Sequence, residues 1–243
     1  MTFIPNIEEF KELAEYYNVI AVRTEFTTDA ETPLSAYAKL SASKPAFLFE
    51  SVVGGEQVSR YSFVGSSPYK TISSDSYVTK VTDDKGEAKN KPTPNDPLKL
   101  IEDELSGIRY HGLDEHRFSG GAVGFIGYEY ANRIEETVPL PKKNELETPL
   151  LFFMLTEVLL IFDHARQTLT VCANARIDGE VNNTYYRACE KIEQTREILS
   201  QHSALKPTPL LDPDPVDLKS GNFSKAEFKK LVEQAKEFVR SGD

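Results

Sequence analysis

LLFFMLTEVLLIFDHARQTLTVCA, residues Leu150 to Ala173, is the stretch on which the fold reading turns. Two apolar runs, Leu150 to Asp163 and Thr168 to Ala173, flank a short polar turn through His164 and Arg166, a pattern that predicts a β-hairpin. The first run, Leu150 to Phe162, is interrupted by Thr156 and Glu157. It is also shorter than the roughly 20 residues a helix needs to cross a bilayer, so it reads as a buried strand and not a membrane span. Downstream, Tyr185, Ala188, Cys189, Ile192 and Leu199 line one face of a long helix.

Upstream, Asn6 caps a short amphipathic helix carrying Ile7, Phe10, Leu13 and Tyr17. Val19 to Phe26 reads as a strand. Thr32-Pro33 is a cap followed by a first-turn proline, opening a helix with Leu34, Tyr37 and Leu40 that ends at Lys44-Pro45. Ala46 to Val53, a Gly54-Gly55 turn and Arg60 to Val64 read as an antiparallel pair. Tyr77 to Thr82 is a further strand closed by the turn at Asp83, Asp84 and Gly86, and Glu87 to Asn95 is read as loop. Asp96-Pro97 starts a helix with Leu98, Ile101 and Leu105 on one side. Gly120 to Tyr130 has strand character, weakened by glycines whose best account is close approach of another backbone. No internal repeat is present.

After Gln201 the composition changes. Pro207, Pro209, Pro213 and Pro215 mark an extended connector, and one element follows. Ser224 and Glu227 form a capping box, and Phe228, Leu231, Ala235 and Phe238 give a helical stripe ending at Gly242. The expected organisation is a domain over 1–203, a Pro-rich linker over 204–221, and over 222–243 the first helix of a second domain. A lone amphipathic helix has nothing of its own to bury against, so the remainder of that domain is expected to be absent from this chain.

Lys plus Arg number 28 and Asp plus Glu 38, a formal net charge of −10. That balance argues against nucleic-acid binding, which needs clustered positive charge. Cys172 and Cys189 are too few for a secreted disulfide scaffold and fit a reducing, cytoplasmic compartment. Met1 to Asn6 lacks a basic region followed by an apolar run, so no signal peptide is expected. Four histidines, His111, His116, His164 and His202, are scattered without ligand spacing, and no metal site or nucleophile elbow is expected.

The segment Phe47-Leu48-Phe49-Glu50-Ser51, with Arg60-Tyr61-Ser62-Phe63-Val64-Gly65 and Pro68, carries the most chemistry. In an alternating strand Leu48 and Glu50 point one way and Phe49 and Ser51 the other, leaving a carboxylate and a hydroxyl together at the strand's end. Such a pair can hold an ammonium group beside an apolar cover. A solvated strand end accounts for the same residues.

These motifs resemble the N-terminal signature of anthranilate synthase component I, whose usual form is L-L-E-S followed by R-Y-S-F-[IV]-G. The Asp96-Pro97-Leu98 helix start, the S-G-G-A-V-G-F-I-G-Y-E run from Ser119 to Glu129 and the closing helix from Phe228 to Asp243 follow in the family's order and cover nearly the whole chain. Phe49 stands where the usual motif has its second Leu. The resemblance implies an α+β fold, mostly antiparallel sheet with flanking helices. It implies a lyase of tryptophan biosynthesis that converts chorismate to anthranilate and pyruvate with Mg²⁺ and ammonia from a glutamine amidotransferase component II partner. The family's catalytic and Mg²⁺ residues lie beyond the position equivalent to Asp243, so none is assigned here and the chain alone is expected to be inactive. What the resemblance places in this chain is part of the allosteric L-tryptophan feedback site: Ser51, Glu50, Leu48, Arg60, Tyr61 and Ser62. Two rivals remain, the related aminodeoxychorismate synthase component I of folate synthesis and a non-catalytic amino-acid-binding regulatory module.

Overall fold

A computed structural model of the chain describes residues 2–42, 45–50, 60–113, 118–135, 137–139, 146–203, 205–206 and 221–242. Its contacts divide it into two units, Met1–Leu205 and Lys206–Asp243. The first unit contains, in chain order, α1 (Ile7–Ala14), β1 (Val19–Thr27), α2 (Pro33–Leu40), β2 (Ala46–Phe49), β3 (Tyr61–Ser66), β4 (Lys70–Ser74), β5 (Val78–Asp83) and β6 (Ala88–Pro92). It continues with α3 (Lys99–Ser106), β7 (Tyr110–His111), β8 (Ala122–Ile126), a 3-10 turn over Tyr128–Tyr130, α4 (Ala131–Ile134), β9 (Leu151–Leu155), β10 (Val158–Asp163), β11 (Thr168–Arg176) and α5 (Val181–Ser200). The second unit holds α6 (Lys225–Ser241), capped by Ser224 and Glu227 and closed by Gly242 in the left-handed region.

Two sheets form the first unit, ordered β2-β3-β10-β11-β1-β7 and β6-β5-β4-β9-β8. All pairings are antiparallel except that of β1 with β7. The expected α+β class with mostly antiparallel sheet and flanking helices is what the chain adopts.

The segment Leu150 to Asp163 corrects its reading as one strand. It is two strands in two sheets, β9 in the smaller and β10 in the larger, turning at Thr156-Glu157. The polar pair that interrupts the apolar run is the corner. Thr156 N–H donates to the Gly121 carbonyl at 2.9 Å, and the Glu157 carbonyl accepts from Asn174 N–H at 2.8 Å, so the backbone stays paired as it changes sheet. The β10–β11 hairpin itself forms, Val158 opposite Ala173 through Asp163 opposite Thr168.

Burial follows from this corner. β10 is buried along its whole length because it is covered on both faces. Val158, Leu160 and Phe162 join Val64, Val171 and Ala173 beneath α1, α2 and α5, where Phe10, Ala36, Leu40 and Ile192 complete the core. Leu159 and Ile161 point the other way, to meet Phe47, Cys172, Val123 and Met154 between the sheets. A third cluster, Ile72, Leu151, Leu155, Ile101 and Tyr130, lies on the far face of the smaller sheet against α3. Each fully buried Leu or Ile contributes about 1.5–3 kcal/mol of transfer free energy, so the layers are held chiefly by β10 and β9.

Three strands fall where no strand was expected. β4 carries a single core residue, Ile72, and its Ser74 is buried by a 2.8 Å hydrogen bond to Thr79 of β5. β6, read as loop, is exposed at every position, an edge strand bearing Lys89 and Lys91 that discourage further pairing. β7 is two residues held parallel to β1. The glycine-rich strand is confined to β8 and gives way to helical turns at Tyr128. Its glycines do serve close approach: a Cβ on Gly124 would overlap the Phe152 carbonyl oxygen.

Candidate functional site

β2 and β3 pair through Ala46 opposite Ser66 to Phe49 opposite Phe63, which brings the predicted site segments side by side. β2 ends at Phe49, and Glu50 follows it exposed. Ser51 and the Gly54-Gly55 turn lie outside the described residues. The described candidates divide between the two faces of the larger sheet. Leu48, opposite Val64, packs toward the helix-side core. Tyr61 packs toward the inter-sheet core, its ring 6.3 Å from that of Phe63. Ser62 lies opposite Phe162 and shares the helix side by strand alternation.

Arg60 and Ser62 meet a residue that sequence reasoning passed over. Asp163, at the end of β10, has its side chain 5% exposed. Its carboxylate accepts from Arg60 Nη2 at 2.6 Å and from Arg60 Nε at 3.1 Å. Its Oδ1 also accepts from the backbone N–H groups of Ala165 and Arg166 at 3.0 and 3.1 Å, which shapes the turn that the hairpin needs. Burial opposes the Asp163 charge, but the bonds from Arg60, Arg166 and Ala165 outweigh it and hold the carboxyl below its usual range. The signal in the sequence was the Asp itself, placed one residue before the polar turn of a strong hairpin.

Ser62 Oγ lies 2.8 Å from His164 Nε2. A serine bonded to a histidine is the arrangement of a nucleophile and its base. Here Ser62 is fully buried, so no substrate reaches its oxygen, and the bond ties β3 to the β10–β11 turn instead. The guanidinium of Arg60 lies 4.9 Å from the Tyr61 ring centroid. These contacts tie the start of β3 to the end of β10, and Glu50 is exposed just after β2.

A second polar group surrounds the start of the glycine run. The Tyr110 hydroxyl lies 2.8 Å from both the Ser119 carbonyl and Asn174 Oδ1, and Asn174 Nδ2 donates to the Ser119 carbonyl at 3.0 Å. One phenolic proton serves one acceptor at a time, and burial pushes its pKa well above the ordinary tyrosine value. Gly120, with φ of +153°, lies against the Asn174 amide and leaves no room for a side chain.

Among the described residues no group of three or more His, Cys, Asp or Glu side chains is placed to hold a metal ion. Several acids are committed to cations: Glu31 to Lys39, Glu104 to Lys70, Glu157 to Lys191 and Asp178 to Arg187. The described donors therefore do not fit Mg²⁺, which asks for oxygen ligands in octahedral array. Among them, too, no helix is long and apolar enough to cross a membrane.

Residues 44–243 match the family of chorismate binding enzymes. Anthranilate synthase component 1 of Acetivibrio thermocellus is 31% identical over 246 residues, covering 99% of this chain and 49% of that protein. The protein of the same name from Aquifex aeolicus is 32% identical over 249 residues, covering 98% of this chain and 48% of its own length. The crystal structure of anthranilate synthase component I from Streptococcus pneumoniae TIGR4 superposes with a TM-score of 0.53 at 24% identity, over 88% of this chain and 44% of that one. The resemblance carried by the sequence motifs is thus borne out, and the chain spans about half the length of the curated relatives it matches.

Proposed function

The chain belongs to the chorismate binding enzyme family, and from that premise we propose that it is part of an anthranilate synthase component I. The whole protein converts chorismate and ammonia to anthranilate and pyruvate, with Mg²⁺ and with ammonia drawn from a glutamine amidotransferase component II. The observation that carries this reading is the naming of relatives about 30% identical along the entire chain. Within that whole, the chain supplies half of the L-tryptophan site. Ser51 and Glu50 meet the polar head of the inhibitor, with Leu48, Arg60, Tyr61 and Ser62 shaping and bracing the strand end. The braced Arg60–Asp163 edge supports this, because a regulatory strand must be held while its tip remains open to a ligand. The linker and α6 are assigned to the passage into the chorismate-binding half, and the protein to the cytoplasm.

The exposed apolar residues Phe125 and Ile126 on edge strand β8, with Tyr128, also fit a longer protein in which further chain covers them. The test is an activity assay with chorismate, Mg²⁺ and ammonium. A longer protein that includes this chain is expected to release fluorescent anthranilate and to be inhibited by tryptophan. This chain by itself is expected to release none above a buffer control. Fluorescence from the chain alone, lost on chelation of Mg²⁺, overturns the division of labour. Aminodeoxychorismate as the product of the longer protein overturns the assignment to tryptophan synthesis.

A further inference from the structure

β11 ends at Arg176, and beside it the first unit opens into a cleft of about 230 Å³. Val19, Leu105, Ile108 and Tyr110 form its apolar walls, while Tyr69 and Arg176 stand among its lining. The guanidinium carbon of Arg176 lies 4.3 Å from the Tyr69 ring centroid, and its Nη1 donates to the Tyr69 hydroxyl at 2.9 Å. That single hydrogen bond leaves most of the five N–H donors of an arginine uncommitted.

The surrounding charges make this arginine unusual. Three carboxylates lie close enough to influence Tyr69 or to feel Arg176: Glu104, Glu157 and Asp178. Each already has a cation at ion-pair distance, Lys70, Lys191 and Arg187 respectively. Among the described residues Arg176 has no carboxylate of its own. A half-buried guanidinium held by one aromatic ring and its hydroxyl is planar and oriented, and it keeps most of its donors for a ligand.

We propose that this cleft is a binding site for a small organic monocarboxylate with a flat apolar body. The Arg176 fork grips the carboxylate in two parallel hydrogen bonds. Val19, Leu105 and Ile108 cover the body, and the volume suits a single ring with a short acidic arm, below the roughly 300–1,000 Å³ of drug-sized pockets. A phosphate does not suit the same place, because one cation and apolar walls leave its second charge unmatched. The cleft shares no lining residue with the β2–β3 candidates, so the inference stands apart from the proposed tryptophan site.

The test is an amide NMR titration of the chain with benzoate and with benzamide, its uncharged isostere. Benzoate is expected to give saturable shifts at Ile108, Gly120 and Gly121, and benzamide to bind about ten- to a hundredfold more weakly. Arg176→Met should remove that advantage, weakening benzoate strongly and benzamide, whose carbonyl loses only a bond to a neutral acceptor, much less. Ile108→Trp, which fills the cleft, should abolish binding of both. Absence of saturable shifts at these amides, equal affinity for the two probes, or benzoate binding indifferent to Arg176→Met would each show that Arg176 merely links the two sheets. Should Arg176→Met lose its dispersed spectrum, Ile108→Trp decides, and a benzoate titration unaltered by it overturns the proposal.

Discussion

Asp163→Asn keeps the shape of the side chain at the end of β10 and removes its charge. The asparagine oxygen can still accept from the Ala165 and Arg166 amides, but its NH₂ group then faces the donors of Arg60, which now reach Asp163 at 2.6 to 3.1 Å. Breaking a buried pair from one side costs about 3–5 kcal/mol. The Arg60 side chain is 39% exposed, however, and water recovers part of its hydration. We therefore expect a loss of about 2–3 kcal/mol, the value of one charge-assisted bond together with a weakened turn. For a unit of this size each kcal/mol lowers the melting temperature by about 2–4 °C, a drop of about 4–12 °C, read by thermal and urea melts followed by circular dichroism. The pH dependence has a fixed sign. The Asp163 carboxyl is depressed in the folded state, so its stabilisation is present above the unfolded value near 3.9 and fades as pH falls through the folded value. Asp163→Asn should flatten that acid limb. A melting temperature within about 1 °C of wild type, with the acid limb unchanged, would refute the account of this turn.

Gly124→Ala should destabilise the first unit by more than about 2 kcal/mol, because the added methyl meets the backbone carbonyl of Phe152 and not a movable side chain, and a urea melt reads the loss directly. The Cys172 thiol is fully buried and pushed up to about 12 by burial, so it should resist iodoacetamide at neutral pH and label only when urea unfolds the chain; labelling under native conditions would contradict the burial. In a longer protein with anthranilate synthase activity, Ser51→Ala should weaken tryptophan inhibition by about ten- to a hundredfold while turnover without inhibitor stays near wild type. An unchanged inhibition midpoint at saturating chorismate removes Ser51 from the site.

Local chemistry fixed much of the secondary structure in advance. Asn6, Thr32-Pro33 and Ser224 cap the helices the sequence says they cap, because a cap is a bond between a residue and its own next turn. The β10–β11 hairpin was legible for the same reason: two apolar runs and a polar turn lie within 24 residues of one another. The family, too, was written in the order of short motifs. The tertiary structure alone decided which side of the sheet each residue meets. Thr156-Glu157 looked like a blemish in one strand and is the corner between two sheets, because only Gly121, Asn174 and Lys191, brought in from afar, complete its hydrogen bonds and its ion pair. β4 and β6 carry almost no apolar pattern, since their strand state comes from the pairing offered by β9 and β5 and not from a hydrophobic face of their own. Asp163 and Arg60 stand 103 positions apart and meet at 2.6 Å only because β3 and β10 are neighbours. The guanidinium of Arg176 has the same origin. Its sequence neighbours gave no sign of a site, and its character arises from folding, which gives the nearby carboxylates to other cations and sets Tyr69 beneath it.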